Sequence, residues 1–295
     1  MNGVLLIDKP RGLTSHDVVA SLRSATGERR VGHTGTLDPL ATGLLPIVFG
    51  QATRLAFLLT AGNKTYEATV TLGRSTDTDD SEGRPIGEDR VPPTEDAPIE
   101  EALAAFRGTF DQIPPSHSAK KVGGRPAYAL ARLELPVNLK PVTVTVHTLE
   151  RVERQVGQLR LRMTVTPGFY VRALARDLGA RLGCGAHLSA LRRTATGSFV
   201  VDDALGLDEA LRLGAGLPTR LLSPAAALPD LPAVTVTGPG LERVRHGNPL
   251  GPAQLTGTWI PSAGASAVKI LSGDGELAAL GKWRGPLLHP VVVLG

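Results

Sequence analysis

The chain has one cysteine, Cys184, in 295 residues, and no run of about 18 consecutive apolar residues. A lone thiol excludes an internal disulfide framework, suits a reducing cytoplasm, and reads first as a small buried hydrophobe. Without a long apolar run there is no candidate transmembrane helix, so no membrane partner is expected. Met1-Asn2-Gly3-Val4 lacks the charged, apolar and small-residue layout of a signal peptide. Also missing are a GxxxxGK[ST] phosphate loop and a GxGxxG turn after a strand, so no nucleotide cofactor is expected. Asp77, Asp79 and Ser81 with Glu88 have a calcium-loop flavour, yet the glycine such a loop needs at its sixth position is Glu82. Cys184 and His187 make too few ligands for zinc, so no metal is expected either.

What remains is a chain that is 42% apolar and 20% charged, the balance of a globular protein. Its length allows one large domain and a small one. The net charge of +4 is modest, but its distribution is uneven. Residues 77–111 carry eleven Asp or Glu against three Arg, whereas residues 117–195 carry fourteen Lys or Arg against four acids. An excess of that size favours a polyanion such as RNA, and equally describes a solvated face spread over several elements.

Apolar periodicity places the elements. Val4-Leu5-Leu6-Ile7 reads as a buried strand stopped by Asp8-Lys9-Pro10. Thr14 stands three residues before Asp17, a capping-box spacing, and Val18, Val19, Leu22 and Ala25 repeat at helical intervals up to Gly27. Period-two alternation marks strands at Tyr66–Leu72, Val142–Val146 and Leu159–Val165. Leu174, Leu178 and Leu182 form one stripe of a helix. Strands with polar outer faces imply an α+β architecture: a mixed, mostly antiparallel sheet with flanking helices. Residues 221–230 read as a linker, separating a large domain over 1–225 from a small β-rich module over 231–295.

The strongest local signal is Gly32-His33-Thr34-Gly35-Thr36-Leu37-Asp38-Pro39-Leu40-Ala41-Thr42-Gly43. Glycines on both sides permit tight turns, and Pro39 fixes φ beside Asp38. Read bare, this is a structured loop presenting one carboxylate, or a capping aspartate in a glycine-rich turn. The segment closely resembles the catalytic-aspartate motif of the TruB family of pseudouridine synthases. Lys64-Thr65-Tyr66, the acidic Ser75–Gly83 loop, Gly168-Phe169-Tyr170-Val171-Arg172 and Ala186-His187-Leu188-Ser189-Ala190-Leu191-Arg192-Arg193 match further family motifs in the same order. Residues 3–200 carry the resemblance strongly, and the tail weakly.

That resemblance implies an enzyme that isomerises a T-loop uridine of tRNA, without cofactor or guide RNA. Asp38 would be the nucleophile, and Arg172 would pair with it and keep it ionised. Tyr66 would stack on the flipped uracil, and Tyr170 would hydrogen-bond near the carboxylate. Lys64 would contact substrate and Leu191 would wall the pocket, although Tyr66 and Leu191 also suit an ordinary core. His33 would fill the space vacated by the base, or is a satisfied loop histidine. A thumb over about 112–135, with Lys120, Lys121, Arg125 and Arg132, would clamp the T arm, which makes binding salt-dependent. The tail takes the place of the family's PUA domain, a small RNA-binding β-barrel. The acidic loop is expected to be solvated at the rim of the site. A monomer with no obligatory protein partner follows as the default.

Three departures stand out: Pro167 and Phe169 flank Gly168, His117 occupies a position usually aromatic, and the tail diverges. Two other readings compete, a non-catalytic tRNA-binding protein and a guide-RNA-dependent synthase of the dyskerin type. Binding alone does not need Asp38, Tyr66, Tyr170 and Arg172 together, which favours the enzyme.

Overall fold

The computed structural model describes residues 1–294 except 119, 132, 134, 136 and 258–266. Its centre is a mixed sheet built on β1 (Gly3–Lys9), β2 (Val31–His33), β3 (Thr42–Phe49), β4 (Lys64–Leu72), β5 (Gly108–Gln112), β6 (Val142–Gln155), β7 (Gln158–Val165), β8 (Ala186–Thr196) and β9 (Leu205–Gly206). Across the sheet the order is β9-β1-β3-β8-β4-β7-β6-β5. Only β1 with β9 and β3 with β8 run parallel, so the expectation of a mixed, mostly antiparallel sheet holds.

Both faces of β1 are covered, which explains why Val4–Ile7 is continuously apolar rather than alternating. Leu5 and Ile7 enter a core with Val18, Val19 and Leu22 of α1 (Ser15–Thr26), while Val4 and Leu6 enter a second core on the other side. The α1 helix begins as its sequence predicts: the Thr14 hydroxyl accepts from Asp17 N, and the Asp17 side chain accepts from Thr14 N at 2.8 Å. Gly27 closes it in the left-handed region at φ 68°. A second helix, α2 (Asp96–Ala104), packs Ile99 and Leu103 into the larger core. The third, α3 (Val171–Arg181), buries Leu174 and Leu178 there.

The C-terminal residues form a sheet in the order β10 (Ala233–Thr235), β11 (Val268–Leu271), β12 (Leu277–Arg284) and β13 (Leu287–Val293). Among the described residues this sheet is open, so the expected closed barrel is not what these strands make. Residues 221–230 are docked rather than a free linker. Val4 and Leu222 exchange backbone hydrogen bonds of 2.9 and 2.8 Å, and Ala227 and Leu228 join the second core with Leu277 and Leu280.

Candidate active site

Asp38 is presented by a loop fixed from several directions. The buried Ser15 hydroxyl donates to Leu37 O at 3.1 Å and accepts from Leu37 N at 2.8 Å, clamping the residue just before the aspartate. Gly12 N donates to Pro39 O at 2.7 Å, and Ala41 N to Asp38 O at 3.0 Å. Behind the loop, Arg193 is almost fully buried and donates through Nε to Leu44 O at 2.7 Å and through Nη2 to Gly35 O at 3.1 Å. Both ends of the Asp38 segment are thereby tied to β8.

The Asp38 side chain is 36% exposed, facing a cavity of about 650 Å³. Its Oδ2 lies 2.9 Å from Arg172 Nε. Burial pushes the Asp38 carboxyl above its ordinary value, Arg172 opposes that rise, and the nearby Asp80 charge adds to it. Arg172 itself is buried and makes three further contacts. Its Nη1 sits 3.5 Å from Asp80 Oδ2 and donates to Thr78 O at 3.1 Å, and its Nη2 donates to His117 O at 2.9 Å. A cation in the first turn of α3 opposes the helix dipole, and the two carboxylates offset that cost.

The acidic loop is therefore not the solvated rim its composition suggests. Asp80 is buried, accepting from Thr78 Oγ1 at 2.6 Å and Glu82 N at 3.1 Å, and its backbone bridges to Leu188. Asp79 sits at φ 62° and pairs with Arg176 at 3.1 Å. A loop with its own hydrogen-bond network and an arginine to bind has reason to dock, a tertiary effect that charge counting misses.

Tyr66, Tyr170, Leu191 and Lys64 all line the same cavity as Asp38 and Arg172, with Phe169, His117 and Tyr128 among the other wall residues. Tyr66 and Lys64 stand on the buried face of β4, where inward and outward residues alternate. Tyr170 is held at its backbone by the buried Gln112, which accepts from Tyr170 N at 2.9 Å and donates to Tyr170 O at 3.1 Å. Burial raises the Tyr170 hydroxyl above its ordinary pKa, so it remains a donor at neutral pH. Lys64 does not extend into solvent as a phosphate contact would. Its ammonium bonds Thr60 O and, at 2.6 Å, Gly62 O, and burial holds its pKa down at about 8.

His33 lies at the end of β2 and is not among the residues lining the cavity. Lys120, Lys121 and Arg125 also stand off the cavity wall, on a segment where 121–122 pairs with 125–126 around Gly123 and Gly124. Arg132 lies outside the described residues. Lys9 was missed from sequence. It is fully buried, donates to Pro10 O at 2.8 Å and Leu13 O at 2.7 Å, and has its pKa lowered to about 8 by burial. For Arg193 a signal existed: alternation from Leu191 along β8 puts it on the cavity face, while Arg192 points away to Asp8 at 2.7 Å.

Comparison with known proteins follows the same outline. A family model described as "TruB family pseudouridylate synthase (N terminal domain)" matches residues 23–171, and "tRNA pseudouridylate synthase B C-terminal domain" matches 172–213. The chain is 45% identical over 259 residues to a tRNA pseudouridine synthase B of Dechloromonas aromatica, covering 87% of this chain and 86% of that protein. It is 42% identical over 299 residues to that of Solibacter usitatus, covering 100% of both. Among solved structures, one described as "Structure of H/ACA RNP bound to a substrate RNA containing 2'-deoxyuridine" superposes with a TM-score of 0.72. That match has 26% identity and covers 99% of this chain and 85% of the other.

Proposed function

Since the chain belongs to the TruB family of pseudouridylate synthases, we propose that it converts the T-loop uridine of tRNA conventionally numbered 55 to pseudouridine, with Asp38 as nucleophile. The observation that carries this reading is the Asp38–Arg172 ion pair at the mouth of a cavity walled by Tyr66, Tyr170 and Leu191.

The reaction breaks the C1′–N1 bond, turns the base and rejoins it through C5, so nothing is oxidised or hydrolysed and no cofactor is needed. Arg172 keeps Asp38 ionised against its burial and aims the carboxylate. Tyr66 offers a flat face to the extruded base, whose flipping costs a few kcal/mol and is offset by stacking in the pocket. Tyr170 closes the pocket beside the carboxylate. Leu191 and Lys64 complete its wall, and His33 occupies the gap left in the RNA loop. Lys120, Lys121 and Arg125 hold the phosphates of the T arm, and the module over 231–295 binds RNA further along. The protein works in the cytoplasm as a monomer.

A guide-RNA-dependent form would suit the ribonucleoprotein neighbour at 26% identity, whereas the tRNA pseudouridine synthase B at 45% identity favours action on tRNA without a guide, the reading we adopt. A chemical pseudouridine assay on unmodified tRNA transcript, comparing wild type with Asp38→Asn, tests the reading. Conversion by wild type alone, lost in the variant while tRNA still binds, is the expected result. No conversion by well-folded wild type without added components would overturn it.

A further inference from the structure

Of the three cations that line the cavity, only one is matched by a carboxylate at ion-pair distance among the described residues. Arg172 faces Asp38 and Asp80. Lys64 and Arg193 also line the cavity and are only 7% and 1% exposed, yet among the described residues neither has a carboxylate within ion-pair distance. Their partners are neutral carbonyls: Thr60 and Gly62 for Lys64, Leu44 and Gly35 for Arg193. Burying a cation against neutral groups is costly, so the arrangement calls for a compensating gain.

Their placement is specific. Lys64 is two residues from Tyr66 on β4, so both side chains leave the same face about 7 Å apart. Arg193 is the cross-strand partner of Tyr66, on a neighbouring position at about 5 Å. A base stacked on Tyr66 therefore shares one sheet face and one cavity with both cations. An ammonium has three donors, and two of those on Lys64 are used by the Thr60 and Gly62 carbonyls, leaving one for the cavity.

A neutral uracil has little use for such a field. When C1′–N1 breaks, however, the electron pair stays on N1 and spreads over O2 and O4. After the ring turns, C5 attacks C1′ with that pair, C5 gives up its hydrogen as a proton and N1 takes one, so the sum is an isomerisation. We propose that Lys64 is a catalytic residue that stabilises the uracil anion while it is detached from the sugar, with Arg193 fixed beside it as a second positive charge. The inference rests on the base stacking against Tyr66 as described above. With its pKa near 8, Lys64 is mostly charged at neutral pH while poorly solvated, the condition in which a fixed charge acts most strongly.

The test compares tRNA carrying uridine or 5-fluorouridine at the target position. Fluorine makes the base a better leaving group, so its detachment depends less on stabilisation by the protein. Single-turnover loss of the substrate nucleoside is followed by nuclease digestion and chromatography. Lys64→Met is expected to slow uridine roughly 100-fold, with tRNA affinity within about twofold of wild type, and to slow fluorouridine at least about fivefold less. Lys64→Arg should recover part of the uridine rate. Lys64→Gln, which keeps hydrogen-bonding capacity toward Thr60 and Gly62 but not the charge, gives the same ratio if the Met variant folds poorly. Equal slowing of both substrates would overturn the proposal, leaving Lys64 a structural cap. Failure of wild type to convert uridine would defeat the pseudouridylation reading itself.

Discussion

Gly43 backs directly onto the peptide group of Arg193. A Cβ at Gly43 would overlap the Arg193 carbonyl oxygen and lie 2.8 Å from its amide nitrogen, and the residue sits at φ 99°. This is where β3 and β8 run parallel, carrying the Asp38 loop and the cavity's Arg193. Gly43→Ala should destabilise the protein by on the order of 3 kcal/mol or more, combining backbone strain with a clash that backbone cannot relieve. Gly12→Ala, at φ 89° with nothing within 4 Å of the added Cβ, should cost only about 1–2 kcal/mol. Urea denaturation of the two variants measures the difference.

Arg172→Met removes the main influence pulling the Asp38 carboxyl down against its burial. Its pKa then climbs, the ionised form is reached only at higher pH, and the acid limb of the pH–rate profile moves in the alkaline direction. A profile unchanged in shape, merely lower in height, would mean that Arg172 acts on geometry alone.

Asp80→Asn leaves Arg172 with Asp38 and two carbonyls, loosening the guanidinium without altering Asp38 itself. The expected outcome is a fall in kcat of roughly tenfold or more, with tRNA binding retained. Steady-state kinetics alongside a filter-binding titration separates the two quantities.

Lys9 and Lys64 have folded pKa values near 8 against an ordinary 10.5. Between those values the unfolded chain binds more protons than the folded one, so stability rises with pH across that window. Each group contributes on the order of 3 kcal/mol to the rise. Below about pH 8 both are charged in either state and the burial cost is fully present. The stability of wild type relative to Lys9→Met should therefore increase between pH 7.5 and 9.5, as followed by urea midpoints. A constant difference would mean that Lys9 titrates normally in the fold.

Lys121 and Arg125 are exposed on the hairpin beside the cavity. Alanine at either position should weaken tRNA binding and reduce the slope of log affinity against log salt by about one, without affecting single-turnover rate at saturation.

The sequence declares its local chemistry well. The capping box at Thr14 and Asp17, the alternation along Tyr66–Leu72 and the glycine-framed Asp38 are all short-range patterns, and the structure has them where the pattern puts them. Long-range pairings are what it hides. Nothing around Asp80 distinguishes it from Asp77 or Asp79, because its burial depends on Arg172, ninety-two positions away. Lys9 looks like a turn residue until its ammonium is seen folded back onto Pro10 and Leu13. The 221–230 stretch is compositionally a linker, yet Leu222 finds an open edge at Val4.

The four contacts of Arg172 also set a timetable for synthesis. Asp38, Thr78, Asp80 and His117 all emerge from the ribosome before the arginine that gathers them, and the neighbours of β1 at Leu205 and Leu222 emerge later still. A nascent chain thus carries Asp38 for a large part of translation without the arginine that holds it. The site's last neighbours come from the far end of the polypeptide, which closes over its beginning.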